Sequence, residues 1–319
     1  MRVSLPGRAY LNDIERFLRL IEDDGQDDLT FVMRDSLFSV HPLVVCILAA
    51  LGAETRTHGA NTKLVNPKGH SSARYLQRIG LLDSLQVDSG VTVQEHEPAG
   101  RFVPLRQVAT NDELNEFILE VGPLLHADPE TTKSVKYALF ELIRNVLEHS
   151  GSSDGAFACA QVTKKGRLML GVADAGNGVQ ASMVRSHPVA TDRAAIELAF
   201  EPGVSGTTTS FGGNESNGGA GLFFTKAMAV LSGTHMVMIS GDTLMKLLTI
   251  PGKRVNRKLS EDRVTWKNVD QPYPGTAVGI DLRVADEQGF EDLFKGIRQA
   301  YNLNIKQTKN ARYKARFKK

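Results

Sequence analysis

A chain of 319 residues with 41% hydrophobic and 23% charged side chains has room for two packed domains and is not composed like a disordered protein. It holds no run of the ~18 apolar residues that a spanning helix needs, and its opening MRVSLPGRAY lacks the hydrophobic core of a signal peptide, so a cytoplasmic protein without a membrane partner is expected. The formal charge of +2 conceals an asymmetry: seven of the 38 basic residues crowd into the last fourteen positions, KQTKNARYKARFKK, and the remainder is mildly acidic.

In chain order, RAYLNDIERFLRLIEDD spaces Leu11, Ile14, Phe17, Leu18 and Ile21 like one face of a surface helix. LTFVM reads as a strand. SVHPLVVCILAALGAE reads as a loop entering a helix, with Pro42 at the first helical position and Gly52 near the end; His41, just before the proline, suits a capping or packing role. TKLVNP gives a further strand, and SSARYLQRIGLL a helix that starts at Ser72 or its neighbour and stops near Gly80. This alternation predicts an α/β unit over residues 1–108. Cys46 and Cys159 fall in separate apolar segments, the pattern of buried free thiols.

From NDELNEFILEVGPLL onward the organisation changes to α+β. Two long helices, the second from about Pro129 to His149, lead into GAFACAQVTKKGRLMLGVAD, a hairpin turning at Lys165 and Gly166. A Gly-, Ser-, Thr- and Asn-rich loop from Pro202 to Gly221 opens into the helix LFFTKAMAVLSG. The strands THMVMIS, TLMKLLTI and GTAVGIDLRV follow.

Three stretches point to chemistry. ELIRNVLEHS aligns Glu141, Asn145, Glu148 and His149 in one polar stripe on a helix otherwise covered by Leu139, Leu142, Ile143, Val146 and Leu147. LMLGVADAGNGV is a strand ending in Asp174, followed by Gly176 and Gly178, where a small-residue turn lets a ligand approach the backbone. GGNESNGGAGLFF places Gly218, Gly219 and Gly221 before a helix whose free N–H groups and positive dipole end attract phosphate, and no Walker loop is present. Taken singly, each has a plainer reading as a solvated helix face, a turn or a linker.

In this order, and with GTAVGIDL later, the stretches resemble the GHKL ATPase superfamily of gyrase, heat-shock chaperones, histidine kinases and mismatch-repair ATPases, over roughly Leu114 to Arg283. The resemblance implies a Bergerat-type two-layer α/β sandwich over residues 109–285, with a C-terminal helix and basic tail over 286–319. It implies ATP and Mg²⁺ as cofactors. Glu141 would activate the attacking group, Asn145 would hold Mg²⁺, and Asp174 would accept a hydrogen bond from the adenine amino group. Gly176 and Gly178 would shape the base pocket; Gly219, Gly221 and Leu222 belong to the lid on the phosphates; Thr276 lies near the base. Glu at 141 is closest to the form found in anti-sigma-factor serine kinases, although Glu148 stands where those relatives often carry a basic residue. No phosphoacceptor histidine on a helix precedes the domain, since His96 falls in a strand-and-turn pattern.

Residues 1–108 are similar in element order to STAS domains, the partners of such kinases. In place of their phosphorylatable turn stand Ser39, Val40, His41 and Pro42, with Ser39 out of register. The expectation is an ATP- and Mg²⁺-dependent ATPase or protein serine kinase with a partner-docking STAS-like module. A nucleotide-gated interaction switch without catalysis, a homodimer, and nucleic-acid binding by the basic tail with Tyr313 and Phe317 are the alternatives left open.

Overall fold

The structure is a computed structural model that describes residues 1–33, 39–65, 71–88, 90, 101–126, 129–204, 221–248 and 255–283. Gly218, Gly219, most of the Pro202–Gly221 loop, His96 and the whole of 286–319 with its basic tail lie outside the described residues. Among those described, helices and sheets are mixed, and no helix is long and apolar enough to cross a membrane.

The N-terminal part runs β1 (Arg2–Leu5), β2 (Arg8–Ala9), α1 (Ile14–Leu18), β3 (Ile21–Glu22), β4 (Leu29–Met33), β5 (Ser39–Val40), α2 (Pro42–Thr57), β6 (Thr62–Val65), α3 (Ser71–Arg78) and α4 (Leu81–Ser84). Strands β3, β1, β4 and β6 form a sheet in that order, with β1, β4 and β6 parallel and β3 antiparallel. The long surface helix expected over residues 8–24 is cut short at Leu18. Ile21 and Glu22 pair instead with Val3 and Arg2, because Ile21 buries its side chain better as a sheet edge than on a solvated helix. Gly52 does not end α2 either. A Cβ there would run into Leu85, so this glycine serves close packing in mid-helix.

The second part begins with β7 (Phe102–Val108), α5 (Asn111–Val121) and α6 (Pro129–His149), and continues with β8 (Ala156–Val162), β9 (Arg167–Ala173), α7 (Gly178–Met183), α8 (Asp192–Ala199), α9 (Gly221–Ser232), β10 (Met236–Leu247) and β11 (Val264–Arg283). The five strands make one antiparallel sheet in the order β10-β11-β9-β8-β7. Its edge strand β7 thus comes from residues ahead of 108. The two strands expected around THMVMIS and TLMKLLTI are one, β10, with a register shift at Gly241, whose φ of +56° absorbs the irregularity.

Helices cover both faces of this sheet. Along β9, Leu168, Leu170 and Val172 join the core built with α5, α6 and α9, while Ala173 joins the core shared with α2. Gly171 lies against α2 so closely that a Cβ would overlap the backbone of Pro42 and Leu43. Helix α2 packs on β8, β9 and β11 and also touches β4 and β6, so it lies between the two sheets. His41 caps it: ring Nδ1 accepts from Leu43 N–H at 3.0 Å, which leaves Nε2 to donate to Asp281 of β11 at 3.2 Å. Cys46 and Cys159 are free and buried, and burial pushes both thiols well above their ordinary pKa.

Candidate functional site

One cleft of about 830 Å³, its open mouth included, lies beside the C-terminal half of α6. Glu141, Asn145, Asp174, Gly178, Gly221, Leu222 and Thr276 all line it. The polar stripe of α6 therefore lines this cleft, with Glu148 at its solvent-exposed edge. Gly176 is not part of the wall; it orients Asp174 instead. Gly219 lies outside the described residues.

The alternation of β9 aims Asp174, one step past Ala173, toward the α6 side of the sheet. Its backbone N–H donates to Thr276 O at 2.9 Å, and its Oδ1 accepts from Gly176 N–H at 2.8 Å. The other carboxylate oxygen, Oδ2, is buried without a hydrogen-bond partner among the described residues. The side chain is fully buried, and desolvation raises its pKa to about 7, against the lowering effect of the hydrogen bonds from Gly176 and Thr276. A buried acceptor left free in a cleft wall is costly unless a donor meets it there.

The glycines permit this closeness. A Cβ on Gly176 would overlap the carbonyl of Ser150. Gly275 has φ +89°, and its Cβ would press to 2.5 Å from Asp174 Oδ1. Gly221, the first residue of α9, sits against the side chain of Asn145 and 3.1 Å from Glu141 O as measured from a built Cβ. The acidic turn thus meets α6 at Ser150, and the start of α9 meets it at Glu141, nine residues earlier, or roughly 13 Å along the axis at 1.5 Å per residue. The cleft has an acceptor end at Asp174 and, at the other end, a helix N-terminus with the Glu141 region.

At that second end Arg144 Nη2 lies 3.0 Å from Glu141 Oε2, and its Nε lies 3.3 Å from Glu148 Oε1. Burial raises the Glu141 pKa; Arg144 opposes this and Glu148 adds to it. Lys226 of α9 offers no cation here, because it is fully buried and donates to Asp262 at 2.8 Å and to Asn256 O at 2.7 Å. His149 lines the wall with its Nδ1 buried and without a hydrogen-bond partner among the described residues, and burial lowers its pKa. Val146, Val179, Met183, Leu222, Met238 and Val278 supply apolar lining, the mixture of apolar walls and a few aimed polar groups typical of small-molecule sites.

Sequence reasoning missed Arg144, the wall from α8 and, beyond Gly178, the wall from α7. The spacing Glu141, Arg144, Glu148, i to i+3 and i to i+4, was the available signal for the first. For α8 it was Thr191, which caps the helix by accepting from Ala194 N–H at 3.1 Å. Among the described residues no three His, Cys, Asp or Glu side chains group as a metal site. Mg²⁺ arriving on a polyphosphate needs only one or two protein oxygens, and the Asn145 amide is such a group.

Fold and cleft together define a mixed α/β protein with a ligand-sized site between α6 and the face of its antiparallel sheet. No protein-family model matches the chain, and no curated protein does.

Proposed function

We propose that the cleft binds ATP with Mg²⁺ and that the protein uses it as an ATPase or as a protein serine kinase of the anti-sigma type, on a GHKL-like fold. The observation that carries this reading is the free Oδ2 of buried Asp174, in one cleft with Asn145 and the start of α9. An adenine amino group is a donor that fits such an oxygen, and the apolar wall suits the faces of a purine. The phosphates then extend toward Gly221, where the first N–H groups and the dipole of α9 favour anions. Mg²⁺, held by Asn145, would neutralise part of the phosphate charge.

Glu141 supports catalysis over binding alone. It is a buried carboxylate with a raised pKa, one helical turn from Asn145, suited to accept a proton from a water or a serine hydroxyl. The docking role of residues 1–108 rests on their likeness to STAS domains; in the fold they contribute α2, seated behind β9, and the edge strand β7.

Titration calorimetry of the protein with Mg·ATP should give saturable one-site binding, with Mg·GTP much weaker because guanine offers a carbonyl oxygen where adenine has its amino group. Incubation with γ-labelled ATP then separates the two activities: free phosphate marks a hydrolase, and label on a partner protein marks a kinase. Equal binding of the two nucleotides, or of neither, overturns the reading.

A further inference from the structure

We propose that Arg144 reads the terminal phosphate of the bound nucleotide, exchanging its contact with Glu148 for that phosphate while keeping Glu141. The inference rests on the nucleotide reading of the cleft and adds to it the residue that distinguishes a triphosphate from a diphosphate.

Arg144 is the sole Lys or Arg among the described residues lining the cleft, against Glu141, Glu148 and Asp174. It lies six residues from Ser150, where the Asp174 turn meets α6, or roughly 9 Å along the axis at 1.5 Å per residue, on the side toward which the phosphates of a base-anchored nucleotide extend. Its two carboxylate contacts are unequal. The Nη2 contact to Glu141 is a 3.0 Å hydrogen bond to a side chain only 9% exposed. The Nε contact to Glu148 is an ion pair at 3.3 Å without hydrogen-bond alignment, so Nε remains a buried donor with no hydrogen-bond partner among the described residues. Glu148 is 31% exposed, and water takes it up readily once released.

The guanidinium carries five donors in a planar fork, enough to hold Glu141 on one edge and a phosphate oxygen on another. A phosphate in Glu148's place gives the idle Nε a well-aligned, doubly charged acceptor. The same exchange keeps Glu141 anchored beside the phosphate. It also accounts for an acid at 148: without nucleotide, Glu148 balances a guanidinium that would otherwise stand partly buried with one counter-ion.

The test is calorimetry with Mg·ATP and Mg·ADP on the wild type and on Arg144→Met, Arg144→Lys and Glu148→Gln. Losing a charge-assisted hydrogen bond should weaken ATP about tenfold or more in Arg144→Met while ADP changes by less than about threefold, so the preference for ATP disappears. Arg144→Lys should restore part of it, and Glu148→Gln, which removes the competitor, should widen it. A preference unchanged in Arg144→Met, or both nucleotides weakened alike, overturns the proposal and leaves the nucleotide site standing. Should Arg144→Met not fold, Glu148→Gln decides, with an unchanged or narrowed preference counting against. Failure of the wild type to bind either nucleotide sinks the site reading itself, and this proposal with it.

Discussion

Asp174→Asn should reduce ATP affinity by at least about 100-fold and at the same time make the stability of the nucleotide-free protein less sensitive to a rise from acidic to neutral pH. Both effects follow from one carboxylate. Oδ1 is held by Gly176 N–H, so in the variant the amide oxygen keeps that bond and the NH₂ group faces the cleft, a donor opposite the adenine donor. For stability, the folded pKa of about 7 lies above the ordinary value of 3.8, so the folded state binds the proton more tightly than the unfolded one. The resulting penalty is absent below pH 3.8, grows between there and pH 7, and is complete above it. Three pKa units correspond to about 4 kcal/mol, of which about 3 kcal/mol accrues between pH 5 and pH 8. Denaturant unfolding at those two pH values should show the wild type losing about 3 kcal/mol more than Asp174→Asn. The wild type's ATP affinity should fall about tenfold per unit as pH drops below 7, a dependence the variant lacks. Equal pH responses in wild type and variant would contradict the assignment of the free oxygen.

Glu141→Gln should abolish turnover while leaving binding nearly intact. Glutamine keeps the size of the side chain and an oxygen for Arg144, so the geometry at the head of the stripe survives. It cannot accept the proton of an attacking water or serine hydroxyl. Phosphate release or transfer should fall by about 10²- to 10⁴-fold, with the dissociation constant for ATP changed by only a few-fold. Turnover that persists in this variant would take the catalytic role away from Glu141, and a wild type that binds ATP without any turnover would assign the protein to the nucleotide-gated switch.

Much of the site was legible because its parts are local. A helix of 3.6 residues per turn places Glu141, Asn145 and His149 on one side by spacing alone, and an alternating strand fixes where Asp174 points. The boundaries of α6 follow from Pro129 and from the end of the apolar pattern at His149. What escaped was set by distant partners. Ile21 leaves a helical pattern because Val3 offers it a strand, and Gly52 passes for a stop signal because Leu85, which fills its space, is 33 residues away. LMLGVA is an unbroken apolar run, the mark of a strand buried on both faces. That run announces a cover on the second face of the sheet, yet only the packing of α2 against Gly171 identifies the cover. Arg144 escaped for a different reason: a basic residue between two acids on a helix reads as a solvated salt-bridge ladder until the facing wall is known.

The most direct test is a crystal structure with Mg²⁺ and a non-hydrolysable ATP analogue. The account predicts the adenine amino nitrogen within hydrogen-bond distance of Asp174 Oδ2, with the phosphates running along α6 past Asn145 toward Gly221 and Arg144. An analogue seated elsewhere, or in this cleft with its base away from Asp174, would contradict it.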